Sequence, residues 1–352
     1  MQGRSLIIFS ILSFNCFLSS ALSRGYSQSL NHDFVTIERW RFPNEVVTGY
    51  IFDAFIDSDE QLALMFFRDG IKVVSSHGVE NLTRVGQGPG EMQRWAAMFL
   101  MEPFLIDIEN SGKLIYFRKQ NHKYGYEKTL WLRHDFNFPH VKGAVYSNGK
   151  WYLAGFSSKL DNKGNRVHGY YLSIYKNGRQ TKRLLFKDFK GLCRGPYFLA
   201  AHIRHFNNSI WMMLASELQV YVFDIKKDIL IRRIFLKLPA FYKKIQDYIP
   251  FKRYPLEKLI QIYESWELSY SRVENFLITE KNLIIQIRTA DSSKSKFALL
   301  FYNSKHFNLE KTYYCDDLLL CEKDGRFYFF EYGDPGLDEK AQFVSIKIYR
   351  EK

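Results

Sequence analysis

The chain has 352 residues, 46% of them hydrophobic and 17% aromatic, with 31 Phe and 23 Tyr. That composition can bury a substantial core, leans toward strands and excludes a globally disordered chain. Lys and Arg exceed Asp and Glu by 50 to 37, a net +13, but residues such as Lys226, Lys227, Arg232, Arg233, Lys243 and Lys244 are dispersed over turns and strand ends. This reads as a solvated basic surface rather than a nucleic-acid stripe, with attraction to an anionic partner as the alternative.

The N-terminus has the layout of a secretory signal peptide over residues 1–23. Arg4 forms a positive start, LIIFSIL from Leu6 to Leu12 an apolar core, and Ala21-Leu22-Ser23 a small-residue site before Arg24. Cys16 offers the alternative of lipid attachment, although Phe14 and Asn15 replace the small residues usual before such a cysteine. Both alternatives place the protein outside the cytoplasm, in the periplasm or at the cell surface. No nucleic-acid partner is expected there, and membrane association only through a lipid. Residues 24–32, rich in Ser, Gln, Asn and Gly, read as a flexible leader.

From residue 33 onward, β units return at intervals of about 40 to 55 residues, the period of propeller blades. DFVTIERW at Asp33 to Trp40 is an isolated first strand. The first unit starts near Val46 and contains LALMFF, an Arg68-Asp69-Gly70 turn and IKVVSS. The second has FLIDIE, an Asn110-Ser111-Gly112 turn, LIYFRK and YEKTLWL. The third places Asn148-Gly149 before WYLAGF and continues through Asn177-Gly178. The fourth has FLAAHIRHF, Asn207-Asn208, IWMMLA and LQVYVFDIKKDILIRRIFLKL. The fifth has SYSRVENFLI, LIIQIRT and FALLFYNSKHFNLEKTYY. The last has DDLLLCE, Asp324-Gly325, FYFFEY and VSIKIYRE. Asn-Gly and Asp-Gly between apolar runs are hairpin signals. The last unit lacks one strand, and DFVTIERW is the piece that would complete it and remove an exposed edge.

The fold class expected is therefore all-β, a six-bladed β-propeller over residues 33–352. A small helical insertion should lie between blades four and five. There Pro255 precedes Leu256, Leu259, Ile260 and Tyr263, which fall at i, i+3, i+4 and i+7.

Between the first two units stands Arg84-Val85-Gly86-Gln87-Gly88-Pro89-Gly90-Glu91. It is not a phosphate-cradling loop, because no Lys-Ser/Thr comes after it and no strand-to-helix context surrounds it. Gly86, Gly88, Pro89, Gly90 and Glu91 read as a structural loop. GQGPGE resembles the inter-blade loop of the TolB-like six-bladed β-propellers, related to NHL-type propellers and abundant among Bacteroidetes secreted proteins and lipoproteins. The resemblance implies a ring with a central channel and transfers no catalytic residues.

The residues themselves point to no reaction. There is no GxSxG elbow, Cys193 has no recognisable partner, and Cys315 and Cys321 either pair or remain buried free thiols. His202 and His205, three apart on a strand, would face opposite ways. No metal or cofactor is expected. A channel metal of a propeller hydrolase or lactonase, recruiting residues such as Glu91, Asn110, Asp135 and Glu274, is the alternative. The preferred reading is a monomeric binding or scaffold protein of the cell envelope, whose ligand is a protein, peptide or glycan held at a loop face or channel mouth. Arg94 with Trp95, Arg194 with Tyr197, and Tyr270 with Arg272 pair an arginine with an aromatic near blade entries, as recognition sites do.

Overall fold

The computed structural model describes residues 27–43, 51–66, 70–83, 86, 88, 90–91, 97–133, 140–160, 166–189, 201–245, 258, 261–262, 265–266, 268–290, 296–331 and 343–352. The signal segment, Arg94, Trp95, Arg194, Tyr197, Pro89, Asp135 and Cys193 lie outside these residues.

Six antiparallel sheets of four strands account for the architecture, one of them extended by a fifth strand. Their first strands are Ile51–Ile56, Ala97–Met101, His140–Ser147, Ala201–Phe206, Arg272–Ile278 and Leu318–Lys323. Each of these inner strands touches the next, and the sixth touches the first, so they close a ring around a channel. The fold is a six-bladed β-propeller.

The sixth blade is completed from the other end of the chain. Phe34–Pro43 pairs antiparallel with the C-terminal strand Phe343–Glu351, from Phe34 opposite Glu351 to Pro43 opposite Phe343. The strand predicted from DFVTIERW thus fills the gap, and pairing both chain ends in one sheet removes an open edge. Just before it, in the stretch read as a flexible leader, Ser27–Ser29 runs parallel to Leu309–Cys315 at the rim of the fifth blade. Polar composition concealed this strand because rim pairing uses backbone N–H and C=O groups, which every residue there supplies. The second blade also gains a strand that the sequence reading did not name: Ala97–Met101 is the blade's inner strand.

The core lies between facing blades. Leu62, Leu64 and Phe66 of the first blade's second strand join the cluster shared with the fifth and sixth blades. The alternate residues Ala63 and Met65 pack against Met98, Leu105, Ile115 and Phe117 of the second blade. A strand covered on both faces reads as a continuous apolar run, which explains LALMF, IWMML and FYFF. Outer strands are covered on fewer sides, and Ile229–Phe235 is largely exposed.

Turn chemistry agrees closely with the sequence. Asn148-Gly149, Asn177-Gly178 and Asp324-Gly325 all have positive φ at both residues, as does Asn207-Asn208. These are the mirror-image turns whose twist suits a two-residue hairpin. They gather on one face of the ring, because each comes after the first or third strand of its blade. The connections between blades emerge on the opposite face. One of these joins the fourth and fifth blades, where Lys258, Gln261, Ile262, Ser265, Trp266 and Leu268 are helical within the predicted insertion.

Candidate functional site

The inner strands line a polar crevice bordered by Ile51, Asp53 and Ala54, His202 and Arg204, Glu274 and Asn275, and Leu318 to Leu320. Its volume is ≈ 30 Å³, room for a few small atoms or waters. Most of these residues stand in the first half of their strands, so the crevice lies toward the face of the interblade connections.

Three of the contributing strands carry β-bulges. Phe52, Glu274 and Leu320 are each skipped in the pairing with the second strand of their blade. An extra residue shifts the side-chain alternation and re-aims the residues next to it. That is why neighbours such as Glu274 and Asn275 can both border the crevice, which strict alternation would forbid. Between the third and fourth blades the wall is tighter still: a Cβ on Gly143 would stand 2.7 Å from the Ala201 carbonyl oxygen. Only glycine permits that approach of two inner strands.

Polar bonds knit the wall from blade to blade. Arg204 donates through Nη1 to the carbonyl of Ile203 at 2.9 Å and through Nη2 to Asn275 Oδ1 at 2.8 Å. Asn275 Nδ2 in turn donates to the carbonyls of Leu319 and Leu320 at 3.0 and 2.9 Å. The guanidinium is therefore held by an amide that is itself fixed to the next blade. The Asp53 carboxylate accepts from the amide of Ala54 at 3.1 Å and from that of Met98 in the second blade. Burial lifts Asp53 to about 6 against the pull of Arg204. His202 donates from its ring to the Val273 carbonyl at 3.2 Å, and burial, then the nearby Arg204 charge, lower it to about 4. It is neutral at physiological pH.

Of the six residues in the arginine–aromatic pairs, Arg272 and Tyr270 are among the described residues. Arg272 is buried, and its Nε donates to Glu274 Oε1 at 2.6 Å. Tyr270 packs edge-to-face against Trp266 with ring centroids 5.5 Å apart. Asp53, His202, Arg204 and Asn275 were not named as a site by sequence reasoning. The available signal was AHIRHF in the fourth unit, where His202 and Arg204 alternate with Ala201 and Ile203 on an inner strand.

The GQGPGE loop folds around its own carboxylate. Glu91 Oε2 accepts from the Gly88 amide at 2.8 Å, and a Cβ on Gly86 would fall 2.1 Å from that oxygen. Lys113 of the second blade donates to the carbonyls of Gly88 and Glu91 at 3.3 and 3.0 Å and lies 3.6 Å from the buried Glu109. All these partners are internal to the protein. Cys315 and Cys321 are free, buried thiols. Among the described residues, no three His, Cys, Asp or Glu side chains converge as a metal site. Glu274 reaches the crevice, but its ion-pair partner is an arginine.

No family model matches the chain, and no curated protein matches it. Its likeness is to solved structures. One is the "Putative exported protein" of Bacteroides fragilis NCTC 9343, at 11% identity and a TM-score of 0.53, covering 93% of this chain and 99% of that one. Another is the WD40 β-propeller domain of Doa1, at 7% identity and a TM-score of 0.45, covering 91% and 98%. At such identities the first likeness concerns the fold alone.

Proposed function

We propose that this protein is an extracytoplasmic binding or scaffold propeller that recognises a protein, peptide or glycan of the cell envelope at the channel mouth, on the face of the interblade connections. The observation that carries this reading is the guanidinium of Arg204, fixed through Asn275 to the sixth blade and bordering an open crevice. Pre-organised polar groups in a concave site bind without a further ordering cost. The secretory layout of residues 1–23 supports the location, and so does the name of the Bacteroides neighbour. The GQGPGE loop supports kinship with TolB-like propellers.

The test is a screen of mature protein on peptide and glycan arrays, then hydrogen-exchange mapping of any ligand found. Protection concentrated at 202–204, 272–275 and 318–320 is expected. A footprint confined to the Asn-Gly turns of the opposite face would overturn the assignment.

A further inference from the structure

The chemistry of the crevice narrows the ligand, an inference that rests on reading the channel mouth as the binding site. Arg204 is half-buried in the ring, and both of its hydrogen-bond acceptors, the Ile203 carbonyl and the Asn275 amide, are neutral. Among the described residues no carboxylate oxygen lies within 4.0 Å of its guanidinium nitrogens. Asp53 acts on it only through space. A half-buried charge without a contacting counterion carries a desolvation cost, and the guanidinium retains unused N–H donors whose fork matches a carboxylate. We propose that the crevice receives the terminal carboxylate of a peptide, with Arg204 as the group that binds it.

Size selects the peptide. In ≈ 30 Å³ there is room for a carboxylate and little beyond it. An acidic sugar carries its carboxylate on the ring, so the ring would have to enter too. A peptide's last residue leads with the carboxylate on a narrow backbone.

Among the described residues, the remaining charged groups around the crevice leave the decision to two of them. Arg272 and Glu274 of the fifth blade pair with each other. His202 of the fourth blade is neutral, and burial keeps the Cys321 thiol of the sixth blade protonated. Arg204 of the fourth blade and Asp53 of the first remain. Ionised Asp53 and a ligand carboxylate compete for the same positive charge, so binding strengthens as pH falls through about 6. It weakens again only where the ligand's own carboxyl, near pH 3.5, takes up a proton (about 3.3–3.7 for a free terminus).

Titration calorimetry of the mature protein with N-acetylglycylglycine, its C-terminal amide and glucuronate tests this. The acid should bind and the amide should not, with affinity about tenfold weaker at pH 8 than at pH 5. Arg204→Met should abolish binding while keeping the melting transition. Asp53→Asn should keep binding and flatten its pH dependence. If Arg204→Met does not fold, the acid–amide pair and the Asp53→Asn profile decide on folded protein. Equal binding of acid and amide, mapped to the crevice, would overturn the carboxylate assignment and leave the channel-mouth reading standing. Binding of glucuronate but not of the peptide acid would overturn the peptide. Array ligands that all map elsewhere, with no response to the three probes, would remove both.

Discussion

Arg204 and Asn275 are 71 residues apart in sequence, yet Nη2 of one donates to Oδ1 of the other across 2.8 Å. The pair joins the inner strands of the fourth and fifth blades, and Asn275 extends the link to the sixth. Replacing Asn275 by Ala removes an acceptor from a charged donor and a donor from two buried carbonyls. A loss of about 2–4 kcal/mol is expected in urea denaturation. Asn275→Asp should fall between, because it retains the acceptor for Arg204 but lacks both donors. A change within experimental error in the alanine variant would show that the network is incidental.

The GQGPGE loop should behave as a coupled unit. A methyl group on Gly86 displaces the Glu91 carboxylate, which then loses the Gly88 amide. Gly86→Ala should cost about 1–2 kcal/mol. The same substitution on a Glu91→Ala background should cost clearly less, since the colliding group is gone. Additive losses in the double-mutant cycle would mean that Glu91 does not organise the loop.

Asp107 provides a stability signature in pH. It is fully buried in the second blade, and burial, then the neighbouring Glu109, push it well above 3.8 against the pull of Lys113 and the Ile108 amide. The native protein holds this proton where the unfolded chain releases it. Its contribution is therefore full below about pH 3.8 and declines as pH rises toward the raised native value. Asp107→Asn should raise the melting temperature more at pH 8 than at pH 4.5. Parallel pH profiles for the two proteins would contradict a protonated Asp107.

Phe34 should anchor the closing strand. Its ring lies 5.4 to 6.0 Å from those of Tyr313, Phe327 and Phe301, so it joins the N-terminal segment to the fifth and sixth blades. Phe34→Ala is expected to cost about 3–5 kcal/mol, the range for truncating a buried aromatic. Val35→Ala, on the exposed side of the same strand, should cost much less. Similar losses at both positions would argue that strand pairing, not ring packing, closes the propeller.

The blade count, the hairpin turns and the closing strand were legible in the sequence because each is a local demand. Positive φ at Asn148-Gly149 or Asp324-Gly325 is satisfied within a few residues, and a strand buried on both faces declares itself as an apolar run. The strand Ala97–Met101 escaped because it comes after the turn-rich GQGPGE segment, which masks where the loop ends. For the Tyr270–Arg272 pair, proximity along the chain did not show the partners each side chain takes: Arg272 turns inward to Glu274 and Tyr270 packs against Trp266.

The crevice belongs to the tertiary structure alone. Asp53, Arg204, Asn275 and Leu320 come from four blades and meet only when the ring closes. The aim of Asp53, Asn275 and Leu320 depends on bulges at Phe52, Glu274 and Leu320, each of which shifts the side-chain alternation of an inner strand by one residue. A one-residue shift exchanges channel side for core side, and it is set by packing against neighbouring strands rather than by composition. Local patterning along the chain dictates a ring of six blades; which side chains face its axis is settled by how the blades pack.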